Sequence, residues 1–296
     1  MKRIVVIGAG TMGNGIAHVF AMNGYETRLV DVSSTALEKG MANINKNLDR
    51  MVAKASMTED QKAATLDNLR TFTNLGEAVS SADLVIEAAT ENSTLKKTIF
   101  ADLDQTCGPN TILATNTSSI SITEIAAATK RGDKVIGMHF MNPVPVMKLV
   151  EIIRGYTTSN ETTNAIMDLS KSLGKVPVEV NDYPGFVANR ILMPMINEAI
   201  ISLHEGVGGV EEIDTVMKLG MAHPMGPLQL ADFIGLDNCL AIMRVMQNGF
   251  GQSKYAPCPL LVNMVTAGKL GVKSGEGFYV HTPGSKDLVV APNFMK

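Results

Sequence analysis

Hydrophobic positions along this chain follow two periods in turn, and one of them stops well before the end. Residues 3–7, Arg-Ile-Val-Val-Ile, are a short β-branched run that reads as a buried strand. A glycine loop follows, then a helical stretch from about Asn14 to Asn23 that stops at Gly24. Glu26-Thr-Arg-Leu-Val30 is a second strand ending at Asp31. Residues 35–70 read as a helical hairpin, its second arm opened by a capping box of Thr58 and Gln61. Leu84-Val-Ile-Glu87-Ala-Ala, Thr111-Ile-Leu-Ala-Thr115 and Lys134-Val-Ile-Gly-Met138 are further strands with helical stretches between them. Such alternation predicts a parallel sheet with helices on both faces.

After Val176-Pro-Val-Glu-Val180 and the turn Asn181-Asp-Tyr-Pro184-Gly185, the strand period disappears. Val187, Ile191, Leu192, Met195, Ile196, Ala199, Ile200 and Leu203 recur at helical spacing, and further helices are expected near 210–219, 227–247 and 257–268. The pattern predicts an α/β domain over residues 1–182 and an all-α domain over 183–296.

Composition narrows the function classes. The chain has 296 residues, 45% apolar and 19% charged, in the range of soluble globular proteins. A net charge of -3 without a basic block argues against a nucleic-acid partner. No apolar run approaches the ~18 residues that suggest a membrane span, and the run after Met1 is too short for a signal-peptide core. Cys107, Cys239 and Cys258 suggest no disulfide framework, which fits a reducing cytoplasm. The histidines at 18, 139, 204, 223 and 281 offer no pair at metal-ligand spacing, so no metal is expected.

The loop Gly8-Ala-Gly10-Thr11-Met12-Gly13 carries the first candidate chemistry. Alone, G-x-G-x-x-G is weak; here it follows a strand, opens a helix, and is followed by an acid at the end of the next strand. That context makes the first domain a Rossmann-type, doubly wound sheet that binds a dinucleotide. Gly8 permits a tight turn, Gly10 lets the backbone approach a pyrophosphate, and Gly13 lets the helix pack close to the sheet. The helix N-terminus favours the phosphate charge. Asp31 would bond the adenosine ribose diol and repel a 2′-phosphate, and Val32-Ser33 brings no cation, so NAD is expected over NADP.

The second candidate lies between Val135 and Glu151. His139 ends one apolar run, Pro143 and Pro145 interrupt the chain, and Glu151 falls in the next run. If the chain returns on itself, the carboxylate holds one ring nitrogen and the other becomes a general base. Asn116-Thr-Ser118-Ser ends the preceding strand on the same edge, where a hydroxyl could bond a substrate oxygen or simply cap a helix. Lys46, Arg50 and Lys54 recur at i, i+4 and i+8 on one face of the hairpin, as a solvated face or as a cradle for a phosphorylated ligand tail.

Taken together, the glycine loop, Glu87-Ala-Ala-Thr-Glu91, Asn116-Thr-Ser-Ser119, His139-Phe-Met-Asn142-Pro143, Pro184-Gly-Phe-Val-Ala-Asn189-Arg190, His223-Pro-Met-Gly-Pro227 and Ser274-Gly-Glu-Gly-Phe-Tyr279 resemble, in order, the 3-hydroxyacyl-CoA dehydrogenases. The likeness spans about residues 3–280. It implies NAD-dependent interconversion of an (S)-3-hydroxyacyl-CoA and a 3-ketoacyl-CoA, with 3-hydroxybutyryl-CoA and acetoacetyl-CoA the expected pair. By resemblance, His139 is the base, Glu151 orients it, Ser118 bonds the 3-oxygen and Asn189 adds a second polar contact. Glu91, Lys96, Asn142, Ser118 and Lys273 match cofactor contacts, joining Gly8, Gly10, Thr11, Met12, Gly13 and Asp31. Asn47, Arg50 and Lys54 fall where the family holds coenzyme A, and the family forms homodimers through its helical domain. Two other readings remain open: a dehydrogenase of free 3-hydroxy acids, and a non-catalytic NAD-binding protein.

Overall fold

The computed structural model describes residues 1–285 and 287–295. The chain divides into two compact units, Met1–Tyr183 and Pro184–Lys296.

In the first unit an eight-stranded sheet runs β3-β2-β1-β4-β5-β6-β7-β8. Its first half consists of β1 (Arg3–Ile7), α1 (Thr11–Met22), β2 (Glu26–Val30), α2 (Ser34–Ala53), α3 (Glu59–Asp67), β3 (Leu69–Phe72) and α4 (Leu75–Val79). Its second half adds β4 (Leu84–Glu87), α5 (Ser93–Thr106), β5 (Ile112–Thr115), α6 (Ile122–Ala126), β6 (Val135–Phe140), β7 (Leu149–Arg154), α7 (Asn160–Ser172) and β8 (Val176–Asn181). The expected doubly wound architecture is present. The order departs from β1 in both directions, which creates a switch point where such sheets bind ligands.

Three local expectations change. The hairpin is α2 and α3, and the predicted capping box is formed: Gln61 N donates to Thr58 Oγ1 at 3.2 Å and Thr58 N to Gln61 Oε1 at 2.9 Å. It ends at Asp67, however, because residues 69–72 form β3, which pairs in parallel with β2 at the sheet's edge. Nor is the sheet wholly parallel, since β7 runs antiparallel to β6 and β8 follows β7. Helix α1 begins at Thr11, three residues earlier than expected, because Gly10 serves as its N-cap.

The second unit is helical: α8 (Ala188–His204), α9 (Val210–Thr215), α10 (Pro227–Ile234), α11 (Leu236–Phe250) and α12 (Pro259–Thr266). The helix expected at 227–247 is two, broken at Gly235, whose φ of 97° continues no helix. A small antiparallel pair, β9 (Tyr279–Val280) and β10 (Val289–Val290), adds β structure to a domain expected to be all-α. Asp232 fixes the segment entering β9, accepting from Phe278 N, Tyr279 N and His281 Nε2, each at 2.9 Å.

One polar residue in the first unit's core has an energetic signature. His18, on α1, is fully buried, and neither ring nitrogen has a hydrogen-bond partner. Burial lowers its pKa from 6.5 to about 4. Between those values the unfolded chain binds the extra proton and the folded chain does not. Stability therefore falls as pH drops from about 6.5 towards about 4, a loss of about 2 kcal/mol at pH 5. Thermal melts should show wild type losing roughly 4–8 °C more than His18→Leu between pH 7 and pH 5. An equal fall in both proteins would exclude His18 as the cause.

Candidate active site

The site begins with a backbone register. Strand β6 is buried along its whole length, and its antiparallel partner β7 sets His139 directly opposite Glu151. Directly opposed residues project their side chains to the same face of a sheet, close enough to bond. His139 Nδ1 and Glu151 Oε2 lie 2.8 Å apart, with both residues buried. A carboxylate only accepts hydrogen bonds, so Nδ1 carries the hydrogen and Nε2 is left as the basic nitrogen. The return between the strands is a turn in which Val146 N and Met147 N both donate to Pro143 O, at 3.0 and 2.9 Å.

Strands β4 and β5 bring the next group to the same carboxyl edge. Asn116, just past β5, accepts Phe140 N at 2.9 Å through Oδ1, fixing the loop beyond β5 to the end of β6. Glu91 Oε1 accepts from Thr117 Oγ1 at 2.6 Å, Ser118 N at 3.0 Å and Ser119 Oγ at 3.0 Å. Glu91 thus shapes the loop that presents Ser118.

Lys96 is 1% exposed. Its ammonium donates to Glu87 Oε1 at 2.6 Å and lies 3.5 Å from Glu91 Oε2. It is thus held between two carboxylates. Glu87, which the sequence reading left without a role, also accepts Ala89 N at 2.6 Å and Thr115 Oγ1 at 2.7 Å. Removing one partner of such a buried pair strands the other charge, at a cost of about 3–5 kcal/mol.

The glycine loop has the steric features of a dinucleotide turn. Gly8 has a φ of 98°, and a Cβ there would lie 2.6 Å from Ala88 O. A Cβ on Gly13 would lie 1.7 Å from Gly8 O, whereas Gly10 faces open space. One side of the turn is therefore packed and the other has room for a ligand at the N-terminus of α1, where Gly10 brings no side chain to the cap. Asp31 Oδ2 accepts Ala9 N at 2.8 Å and Oδ1 accepts Ser33 N at 2.9 Å, so the acid also braces the turn. Val32, next to it, is 96% exposed and brings no charge. Arg28, the nearby cation, is committed elsewhere: it bonds Glu26 and Ala78 O and lies over the Phe72 ring. These residues fit NAD: Val32 and Ser33 bring no cation beside Asp31 to balance a 2′-phosphate, and Arg28 is engaged elsewhere.

Helix α2 contributes a polar cleft of about 220 Å³, lined by Lys46, Asn47 and Arg50 together with Asn43, Thr11, Asn14, Gly15 and the return segment Asn142 to Pro145. The predicted stripe is thus split. Lys46, Asn47 and Arg50 face the cleft, while exposed Lys54 caps the C-terminus of α2 and does not line it. Asn14 and Asn43 escaped the sequence reading, although their helical spacing from Gly10 and Asn47 placed them on the right faces.

Asn189 and Lys273 belong to the second unit. Asn189 is buried in the first turn of α8, and Lys273 is ion-paired with Asp237 of α11. Among the described residues, no cluster of His, Cys, Asp and Glu could hold a metal ion, and no helix is long and apolar enough to cross a membrane.

Comparison with known proteins gives the same outline. Residues 3–183 match the family model "3-hydroxyacyl-CoA dehydrogenase, NAD binding domain", and residues 185–281 match that family's C-terminal domain. A probable 3-hydroxybutyryl-CoA dehydrogenase of Bacillus subtilis is 56% identical, over 94% of this chain and 97% of that protein. The 3-hydroxybutyryl-CoA dehydrogenase of Bradyrhizobium diazoefficiens is 53% identical over 94% of this chain and 95% of its own length. The crystal structure of (S)-3-hydroxybutyryl-CoA dehydrogenase from Ralstonia eutropha superposes with a TM-score of 0.92 at 51% identity, covering 95% of this chain and 99% of that one. The chain therefore belongs to the 3-hydroxyacyl-CoA dehydrogenase family.

Proposed function

We propose that this protein interconverts (S)-3-hydroxybutyryl-CoA and acetoacetyl-CoA with NAD(H). The observation that carries the reading is the buried His139–Glu151 pair at 2.8 Å, on the sheet edge that also bears the glycine loop. When bound, NAD supplies the hydride acceptor, and NADH the donor, for carbon 3 of the substrate.

The chain's own residues handle the proton and the geometry. In oxidation His139 Nε2 removes the 3-hydroxyl proton; in reduction the imidazolium returns it to the ketone oxygen. Glu151 stabilises the imidazolium and keeps the ring in one tautomer. Ser118, on the loop that Glu91 holds, bonds the 3-oxygen, with Asn189 as its second polar contact. The Lys46–Arg50 cleft takes the charged part of the coenzyme A tail. A second copy covers the apolar surface of the helical unit, where Val207, Val216, Leu219 and Met221 are exposed, giving a homodimer. Three buried, unbridged cysteines accord with a cytoplasmic enzyme.

NADH consumption should be rapid with acetoacetyl-CoA and at background with free acetoacetate. The reverse preference would indicate a free-acid dehydrogenase, and NADH binding with no turnover of either would indicate a non-catalytic protein. In the same assay His139→Gln should lower kcat by at least ~10²-fold with NADH binding nearly unchanged. Glu151→Gln should also lower kcat, because an amide no longer fixes the Nδ1 hydrogen; wild-type rates in either variant would remove that residue from the role.

Arg50→Met should raise KM for acetoacetyl-CoA by about 10-fold with little change in kcat, as loss of one charged contact to a remote part of the substrate requires. Asp31→Ser should weaken NADH binding and narrow the preference over NADPH, measured as the ratio of the two kcat/KM values. An unchanged ratio would mean that Asp31 only braces the turn.

A further inference from the structure

The geometry points to Lys175 as a positioning residue that clamps the return loop between β6 and β7 and so shapes one wall of the polar cleft that Lys46, Asn47 and Arg50 face. Lys175 follows the end of α7 in a Schellman arrangement: Gly174, with a φ of 70°, donates its N–H to Lys171 O, and Lys175 N donates to Ser170 O. This closure turns the chain into β8 and leaves Lys175 9% exposed. Its ammonium donates to Val144 O at 2.5 Å and to Met147 O at 2.8 Å. Those carbonyls lie on either side of the turn tip, which Pro143 O closes from within by accepting two N–H groups.

The partners are what make this more than a buried lysine. No carboxylate is within ion-pair distance of Lys175 among the described residues, and burial alone lowers its pKa. A cation held in that position has a desolvation cost that only the two carbonyls offset. Without it, the buried Val144 carbonyl would itself lose its donor. The loop they belong to supplies Asn142, Pro143, Val144 and Pro145 to the cleft that Lys46, Asn47 and Arg50 face. Val144 also packs on α1 so closely that a Cβ on Gly15 would lie 3.0 Å from it. Lys175 therefore fixes a wall shared by the cleft and the helix that follows the glycine loop. The His139–Glu151 register, held by the strands themselves, should survive its loss.

The functional part of the inference rests on the proposed acyl-CoA activity; the structural part does not. Lys175→Met keeps most of the length and removes the charge and the donors, and Lys175→Arg restores both. In Lys175→Met, hydrogen exchange at Val146 and Met147 N–H should quicken at least 10-fold, while exchange along β1 stays at the wild-type rate. KM for acetoacetyl-CoA should rise at least 5-fold, with kcat per folded molecule within about 2-fold and the pH profile unmoved, and Lys175→Arg should recover most of the KM. Exchange that quickens equally in β1 and the loop, or a wild-type KM, would overturn the inference. If Lys175→Met does not fold, Lys175→Gln is read by the same two measurements. A wild-type enzyme without activity on acetoacetyl-CoA would instead overturn the proposed function, and the exchange measurement would still decide the clamp.

Discussion

Everything at the site depends on one antiparallel pairing in an otherwise parallel half-sheet. Strands β1, β2, β3, β4, β5 and β6 run the same way, so their side chains at the binding edge come from carboxyl ends. A parallel neighbour for β6 would have brought a long crossover and another carboxyl end. The short proline return instead brings the amino end of β7 to the edge, with Glu151 facing His139 across the ladder. A one-residue slip would send Glu151 to the opposite face and leave two buried polar groups without each other. Because β6 and β7 are buried and β8 pins the far side of β7, that slip is strongly opposed. A side chain built on strands is held more firmly than one built on loops.

The sequence disclosed this pair, but not the arrangement behind it. The glycine loop with Asp31, the capping box at Thr58 and the His139–Glu151 meeting were legible because each depends on a short, fixed spacing. Strand β3 was not: Leu69-Arg-Thr-Phe72 is four residues at a sheet edge, with only Leu69 buried, so no period marks it. The break at Gly235 was equally hidden, since the apolar pattern continues on both sides and one glycine inside a helical pattern is often tolerated. The burial of Lys96, which resemblance alone had singled out, and of Lys175 was hidden for a different reason. A lysine is ordinarily exposed, and only the fold reveals that its ammonium ends among carboxylates in one case and carbonyls in the other.

A common rule underlies these polar contacts. At the carboxyl ends of parallel strands the loops offer N–H groups that need acceptors, and the residues standing there are acidic or amide-bearing. Asp31 accepts Ala9 N, Glu87 accepts Ala89 N, Glu91 accepts Ser118 N and Asn116 accepts Phe140 N. The antiparallel return offers carbonyls instead, and the residue that meets them, from the amino end of β8, is Lys175. The sign of the side chain follows the polarity of the backbone it must satisfy.

That correspondence explains how one edge of the sheet can carry buried acids next to an apolar core. Asp31, Glu87 and Glu91 each accept a backbone N–H, so each costs less to bury and less to hold still than a free charge would. It also separates two duties that family resemblance alone merges. Asp31, Glu91 and Asn116 hold loops in place through backbone N–H groups, and any ligand contact is added to that work. His139 differs: its Nδ1 is bonded to Glu151 across the ladder, so the sheet and not a loop sets the orientation of the ring. The loops around it are held because their backbone groups are taken, and the ring is held because the sheet directs Glu151 to its Nδ1.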